Sequence, residues 1–456
     1  VISVTAILLT LASVAADNQS APDSQAATVT LEQAVKTAVR INPSYAAAKE
    51  KVNQAEAWKR KALAAFIPTW TVSASYTRYN KEYIFALPDG NSMRIITEPP
   101  YIVFDKYNTW ILQPLNAYNV NTSLSVPILN MSNIARYRTV ENQYKAATFT
   151  NKSFSNEFVY NVASAYYTAL ATRNMLSVYK NALEMAQSHM AAAKARYDNG
   201  DLNKLSYLKA EIEVETRKQE LRRATNGYAT AREALAVLLD RDANFEVSED
   251  TALPGLGPDD GKEWDARALL DEAIKSRPDI SASETALQVA QSSRQETKYK
   301  FIPTLQALGS VTNTNMFGLL GTDFQWYVSV VASWVLYDGG IRYADLREKA
   351  SLIAEARFNI EALKASVRNQ VRQVMLESDS CRASIGSARR QVDLASESYR
   401  VAKANFEQGL CTFLEVRDAD TTLLSARINL VKEDLGYQLS RLKLLNTIGT
   451  IVDQFQ

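Results

Sequence analysis

Phe66-Ile67-Pro68-Thr69 and Phe301-Ile302-Pro303-Thr304 are one four-residue phrase used twice, and how it is read decides the fold. On the N-terminal side of each copy lies an Ala- and charge-rich run of helical character. On the C-terminal side, residues alternate between apolar and small polar. Proline has no N–H to donate and steers the residue before it away from helical φ/ψ, so Pro68 and Pro303 read as helix–strand joints. One further mark keeps step with the phrase, and another recurs in the same order after it. Asn42-Pro43 and Arg277-Pro278, each an X-Pro helix start, stand 25 residues ahead of their prolines (43 to 68, 278 to 303). Gly200 and Gly409 then close the long runs that follow. Independent loops would not hold such a register, so the chain reads as two copies of one unit.

After Pro68, Trp70, Val72, Ala74 and Tyr76 alternate with Thr71, Ser73, Ser75 and Thr77, and residues 119–127 repeat the pattern. In the second copy, residues 304–312 and 325–335 do the same less cleanly. Four strands of this length suit a tilted crossing of an outer membrane, with Trp70, Trp326, Trp334, Tyr76 and Tyr79 as an interfacial girdle. Alternation alone fits a soluble half-buried sheet equally well. The stretch Asn80 to Tyr118, with Pro88, Asp89-Gly90 and Pro99-Pro100, reads as a long surface loop, and Asn313 to Phe324 as its shorter counterpart.

Beyond the strands come two proline-free helical runs, residues 132–198 and 343–408, each extending about 100 Å at ~1.5 Å per residue. Phe158, Val162, Ala169, Ala186 and Ala193 belong to a coiled-coil seam on the first. Gly200 and Gly409 turn the chain into antiparallel return helices, 203–240 and 412–446. The chain thus divides into a first repeat (30–243), a linker (244–263), a second repeat (264–449) and a tail (450–456). Val1 to Ala16, apolar and ending in small residues, reads as the remainder of a secretory signal, followed by a linker over 17–29.

Composition excludes more than it selects. With 46% hydrophobic and 22% charged residues and a net charge of +1, the chain is an ordinary folded mixture with no call for nucleic acid. Arg217, Lys218, Arg222 and Arg223 read as a solvated helix face. No run has the 18 to 20 apolar residues, roughly, that a spanning helix needs. Cys381 and Cys411 lie about 45 Å apart if the helix between them is continuous, so they are expected to be free, half-buried thiols. An enzyme is disfavoured: the one histidine, His189, has no nucleophile or ligand cluster nearby and reads as a surface residue, and neither a phosphate loop nor metal-ligand spacing appears. No cofactor is expected.

The doubled phrases, four amphipathic strands and paired long helices resemble the TolC-type outer membrane efflux protein family over residues 28–449. The resemblance implies a mainly α fold with a membrane β-barrel: four strands per chain contributing to a 12-stranded trimeric barrel, and coiled-coil helices forming a periplasmic α-barrel. It implies a passive homotrimeric duct in the outer membrane of a Gram-negative bacterium. A periplasmic adaptor (membrane-fusion protein) would couple it to an inner-membrane pump or type I secretion transporter. The turns Arg196 to Leu205 and Asn405 to Leu414 would dock the adaptor, with Arg196, Gly200, Leu202, Gly409 and Leu410 as the positions involved. Glu415 and Asp418, three residues apart on one helical face, match an acidic ring at the pore constriction that favours cations. Where some relatives hold the entrance shut with a Tyr, an Arg and an Asp, this chain has Phe406, Cys411 and Ser206. A periplasmic coiled-coil scaffold or adaptor is the rival reading; it would explain the helices but not the strands.

Overall fold

The computed structural model describes residues 27–98, 100–200, 202–248, 265–316, 323–408 and 410–455. The signal-sequence reading, most of the 244–263 linker and Gly409 lie outside the described residues.

A short strand β1 (Ala27–Val29) leads into α1 (Leu31–Ile41), whose capping box joins Thr30 and Gln33, and then into α2 (Pro43–Ala64). Asn42 caps α2 by accepting from the Ser44 N–H, and Pro43 occupies the first turn, where a missing donor costs nothing. The last turn of α2 closes with Ile67 N–H donating to Ala64 O, and Pro68 then gives way to β2 (Thr69–Arg78). Next come β3 (Tyr83–Pro88), β4 (Met93–Thr97), β5 (Pro100–Phe104), β6 (Tyr107–Gln113) and β7 (Asn116–Leu129). They lead to α3 (Met131–Asp198) and the returning α4 (Lys204–Leu239). After β8 (Phe245–Val247) the design repeats as α5 (Ala266–Ser276), α6 (Pro278–Tyr299), β9 (Thr304–Thr314), β10 (Phe324–Ser333), α7 (Ile341–Glu407) and α8 (Phe413–Ile448). Helix lengths match across the copies: 11 and 11, 22 and 22, 68 and 67, 36 and 36 residues. The unit is duplicated.

Those lengths also place the core. At ~1.5 Å per residue the return helices climb about 54 Å, roughly half of α3 or α7, and α2 or α6 covers about 33 Å of the remainder. Where they meet, Val162, Tyr166 and Tyr167 of α3 pack with Leu235, Leu239, Phe245, Val247 and Leu442. The Tyr166 hydroxyl reaches the backbone carbonyls of Val29 and Ser248, 3.2 and 3.0 Å away. A second cluster joins Leu269, Ala273 and Ile280 to Val367, Val371 and Val374 of α7.

Three segments depart from the sequence reading. The stretch around residues 80–118 is not a loop: β3 pairs with β6 and β4 with β5, both antiparallel. The presumed linkers meet as strands, because β1 and β8 pair in parallel and bury Val29, Phe245 and Val247. The tail is anchored, with Ile451 and Phe455 in the mid-length core. In the last two cases a few apolar residues found partners far away in sequence, whereas the ribbon folds back on itself locally.

Candidate functional site

The main sheet has the order β10-β9-β7-β2, all antiparallel, with β2 and β10 as its edge strands among the described residues. Its register puts Trp70, Val72, Leu124, Val126, Ala307, Trp326, Val328 and Val330 on one face. None of the described residues covers that face: Trp70 is 73% exposed, Val328 73% and Val330 63%. The opposite face is polar and bonded to itself. Thr71 and Ser123 hydroxyls lie 2.6 Å apart, and the Asn121 amide donates to Ser310 and Thr312. A soluble sheet would bury its apolar face and wet its polar one; here the apolar face is left for an apolar solvent.

At the other end, about 100 Å away along α3, the two helical turns sit side by side. Gly200 adopts φ +80°, the left-handed conformation that lets α3 reverse into α4. Across the gap, the Arg196 guanidinium lies 4.3 Å from the Phe406 ring centroid and donates to the Phe406 carbonyl at 3.3 Å. Tyr197 stacks on Tyr207 within the first turn, and Phe406 meets Phe413 edge-on within the second. Leu202 is half-buried, whereas Leu410 is 73% exposed, its N–H held by Asn405 O at 2.8 Å. Cys411 donates to the Ala402 carbonyl, and both cysteines are free.

Glu415 and Asp418 stand in the first turns of α8 but do different things. Glu415 closes a capping box, its carboxylate accepting from Thr412 N–H at 2.6 Å and Thr412 Oγ1 at 3.0 Å; those bonds hold its carboxyl below the ordinary value. Asp418 is exposed, with Arg417 at 3.3 Å.

Two polar groups are more deeply placed than the sequence implied. Arg217 is not on a solvated face: it is 5% exposed and bridges Glu213 (2.6 Å), Glu220 (3.0 Å) and, from α8, Asp420 (3.8 Å). Burial pushes the Asp420 carboxyl above its usual value, with Arg217 opposing. His189 is half-buried, its Nε2 3.0 Å from the Tyr399 hydroxyl on α7; burial lowers its basicity, and Lys403 lowers it further. Periodicity shows which face of a helix is apolar. It does not show that a partner helix brings a counter-charge to the same depth.

A sheet open at both edges with an apolar outer face, mounted on two paired helical hairpins, is an arrangement already known. The family model described as outer membrane efflux protein matches residues 34–241 and 269–450, most of the chain. The chain belongs to the outer membrane efflux protein family. Among relatives, the outer membrane protein TolC of Escherichia coli is 22% identical over 372 residues, covering 74% of this chain and 71% of TolC. The outer membrane protein OprJ of Pseudomonas aeruginosa is 24% identical over 315 residues, covering 67% of this chain and 64%, just under two thirds, of OprJ. The crystal structure of the outer membrane protein VceC from Vibrio cholerae superposes with a TM-score of 0.71 at 18% identity, covering 92% of this chain and 96% of VceC.

Membership assigns the two ends. This outer membrane efflux protein lies in the outer membrane and extends into the periplasm, with the fold class of a membrane β-barrel continued by an α-helical barrel. The exposed apolar face is the lipid face, the polar face the lumen, and the paired turns the periplasmic end. No helix among the described residues is long and apolar enough to cross a membrane.

Proposed function

We propose that three copies of this chain close one 12-stranded barrel and one helical tube, forming a passive exit duct across the outer membrane and periplasm. The observation that carries the reading is the four-stranded sheet whose outer edges, on β2 and β10, have no neighbouring strand among the described residues while its apolar face is bare. In lipid, each unpaired backbone group costs several kcal/mol, roughly, so edges must be joined; β10 of one copy meeting β2 of the next joins all of them. A pore-free scaffold has no use for such a sheet. The protein catalyses nothing, and an inner-membrane pump or type I secretion transporter supplies the energy through a periplasmic adaptor.

The adaptor docks on the turns around Arg196, Gly200 and Leu202 and around Gly409 and Leu410. The exposed Leu410 offers an apolar anchor, and Arg196 sets the spacing by holding Phe406. Glu415 and Asp418 of three copies ring the constriction and favour cations. The two repeats, 30–243 and 264–449, are the units of duplication. Mass measurement on the detergent-solubilised protein together with planar-bilayer recording tests the duct: a trimer with cation-selective conductance is expected, and a monomer without conductance refutes it. Glu415→Gln with Asp418→Asn separates pore charge from folding, since Gln still serves a capping box. A reversal potential that does not move removes these residues from the constriction.

A further inference from the structure

The stretch between β2 and β7 continues the barrel hairpin outward. Tyr79 N–H donates to Leu115 O at 2.7 Å, Asp89 N–H to Lys106 O at 2.9 Å and Asp105 N–H to Ser92 O at 3.2 Å, so the ladder carries on through each junction. β2–β7, β3–β6 and β4–β5 are successive segments of one two-stranded ribbon ending near Thr97–Pro100. In the neighbouring hairpin, β9 ends at Thr314 and β10 begins at Phe324. The ten residues of β2 already span a membrane at a tilt, so β3 to β6 stand outside, on the cell exterior.

The pattern changes where the ribbon leaves the barrel. Along β2, apolar and polar residues alternate, as a wall between lipid and lumen requires. Along Tyr83-Ile-Phe-Ala-Leu87, Tyr101-Ile-Val-Phe104 and Trp110-Ile-Leu112 they do not. Ile95 pairs with Ile102 on one face, and Ile96 with Tyr101 on the other. Strands apolar on both faces are strands covered on both faces. Yet none of the described side chains from 80 to 116 is buried; Ile95 is 61% exposed and Ile102 55%. A bare two-stranded ribbon is at best marginally stable in water. Among the described residues of one chain the cover is missing.

We infer that the cover is the same ribbon of the neighbouring copies, and that three ribbons pack together into an apolar collar over the outer mouth of the duct. This inference rests on the threefold reading above. Each ribbon rises from the β2 edge, which that reading joins to β10 of the next copy, so it continues the seam between copies. Charge does not oppose the approach: residues 83–113 carry Arg94 and Lys106 against Asp89, Glu98 and Asp105, and Arg94 pairs with Asp105 at 3.2 Å. Spacing allows it. Four strands per copy at ~4.8 Å set neighbouring ribbons about 20 Å apart around the wall, and leaning inward brings them to the roughly 10 Å of face-to-face packing. The collar narrows the exit, a second constriction at the opposite end from the periplasmic turns.

The test uses the full chain with Cys381→Ser and Cys411→Ser, purified in detergent and reconstituted. Ile95→Cys, and separately Ile84→Cys, is treated with a short bis-maleimide, with the lipid-facing Val72→Cys as control. A chain-to-chain cross-linked band at 95 and 84 but not at 72 is expected. In the same samples, Ile95→Asp with Ile102→Asp pushes the ribbons apart, and single-channel conductance rises. Mass measured alongside keeps the two readings separate: a monomer defeats the threefold reading. A trimer whose ribbon cysteines do not cross-link overturns the collar alone, as does unchanged conductance in the double aspartate.

Discussion

Asp420 and His189 lie between the helical hairpins near the periplasmic end and respond to acid in opposite senses. His189 is held below the usual imidazole value of 6.5 by burial, so the unfolded chain binds the extra proton first. Its contribution to stability is present above that value and is lost as pH falls through the lowered one. Asp420 is raised, so the folded chain takes up the proton first; stability from this group is present in acid and is lost as pH rises through the raised value. His189→Gln, which keeps a partner for Tyr399, is therefore expected to flatten the fall in thermal midpoint between pH 7 and 5, and a slope equal to wild type assigns that fall elsewhere. Asp420→Ala leaves Arg217 with Glu213 and Glu220, so it should cost about 1–3 kcal/mol rather than the ~3–5 kcal/mol of an orphaned buried charge, read from chemical unfolding.

At the scale of elements, two glycines in the left-handed region separate strain from collision. Gly449 ends α8 at φ +91°, and a Cβ there would stand 3.1 Å from Arg277 Cα, where Arg277 also donates to the Thr447 carbonyl. Gly200, at φ +80°, has nothing within 4 Å. Gly449→Ala should lower stability by about 1–3 kcal/mol and loosen the joint between α6 and α8, whereas Gly200→Ala costs only the backbone term of about 1–2 kcal/mol. Comparing their unfolding midpoints checks the order; equal losses would mean the Arg277 contact yields freely. Elements also show where sequence signals mislead. Asp89-Gly90 is a turn former, and it does break the ribbon. It breaks it at a ladder junction rather than dissolving it, because Asp89, Ser92 and Lys106 carry the hydrogen bonds across. A three-residue strand such as β8 carries no readable period at all.

For the whole molecule, the sheet's two faces predict opposite consequences for adjacent residues. Val328→Arg puts a charge on the lipid face and should reduce insertion by about 2–4 kcal/mol if it lies near the midplane, while Ser329→Arg, on the lumen face, should assemble and shift selectivity toward anions. Urea titration of folding into vesicles reads the first, and reversal potential the second. If both substitutions insert equally well, the apolar face is not the lipid face. The Arg196–Phe406 contact belongs to this scale too, since it ties the turns of the two repeats together; Arg196→Ala should free them and weaken adaptor binding.

What the sequence determined by itself is everything carried by local sterics and short periods. Pro68 and Pro303 end helices wherever they are placed, alternation at period two makes a two-faced strand, and matched spacings disclose a duplication before any contact is known. What only the tertiary structure decided is what each face meets. The sheet's apolar side could have faced a core or a bilayer until none of the described residues was found to cover it. Arg217 looked solvated until α8 brought Asp420 to its depth, and the 80–116 stretch looked like a loop until its halves were seen to pair. Burial joins residues remote in sequence, and the free energy of such contacts leaves no mark in the local pattern of either partner; the ribbon's halves pair locally, but their strands lack the alternation by which a strand is read.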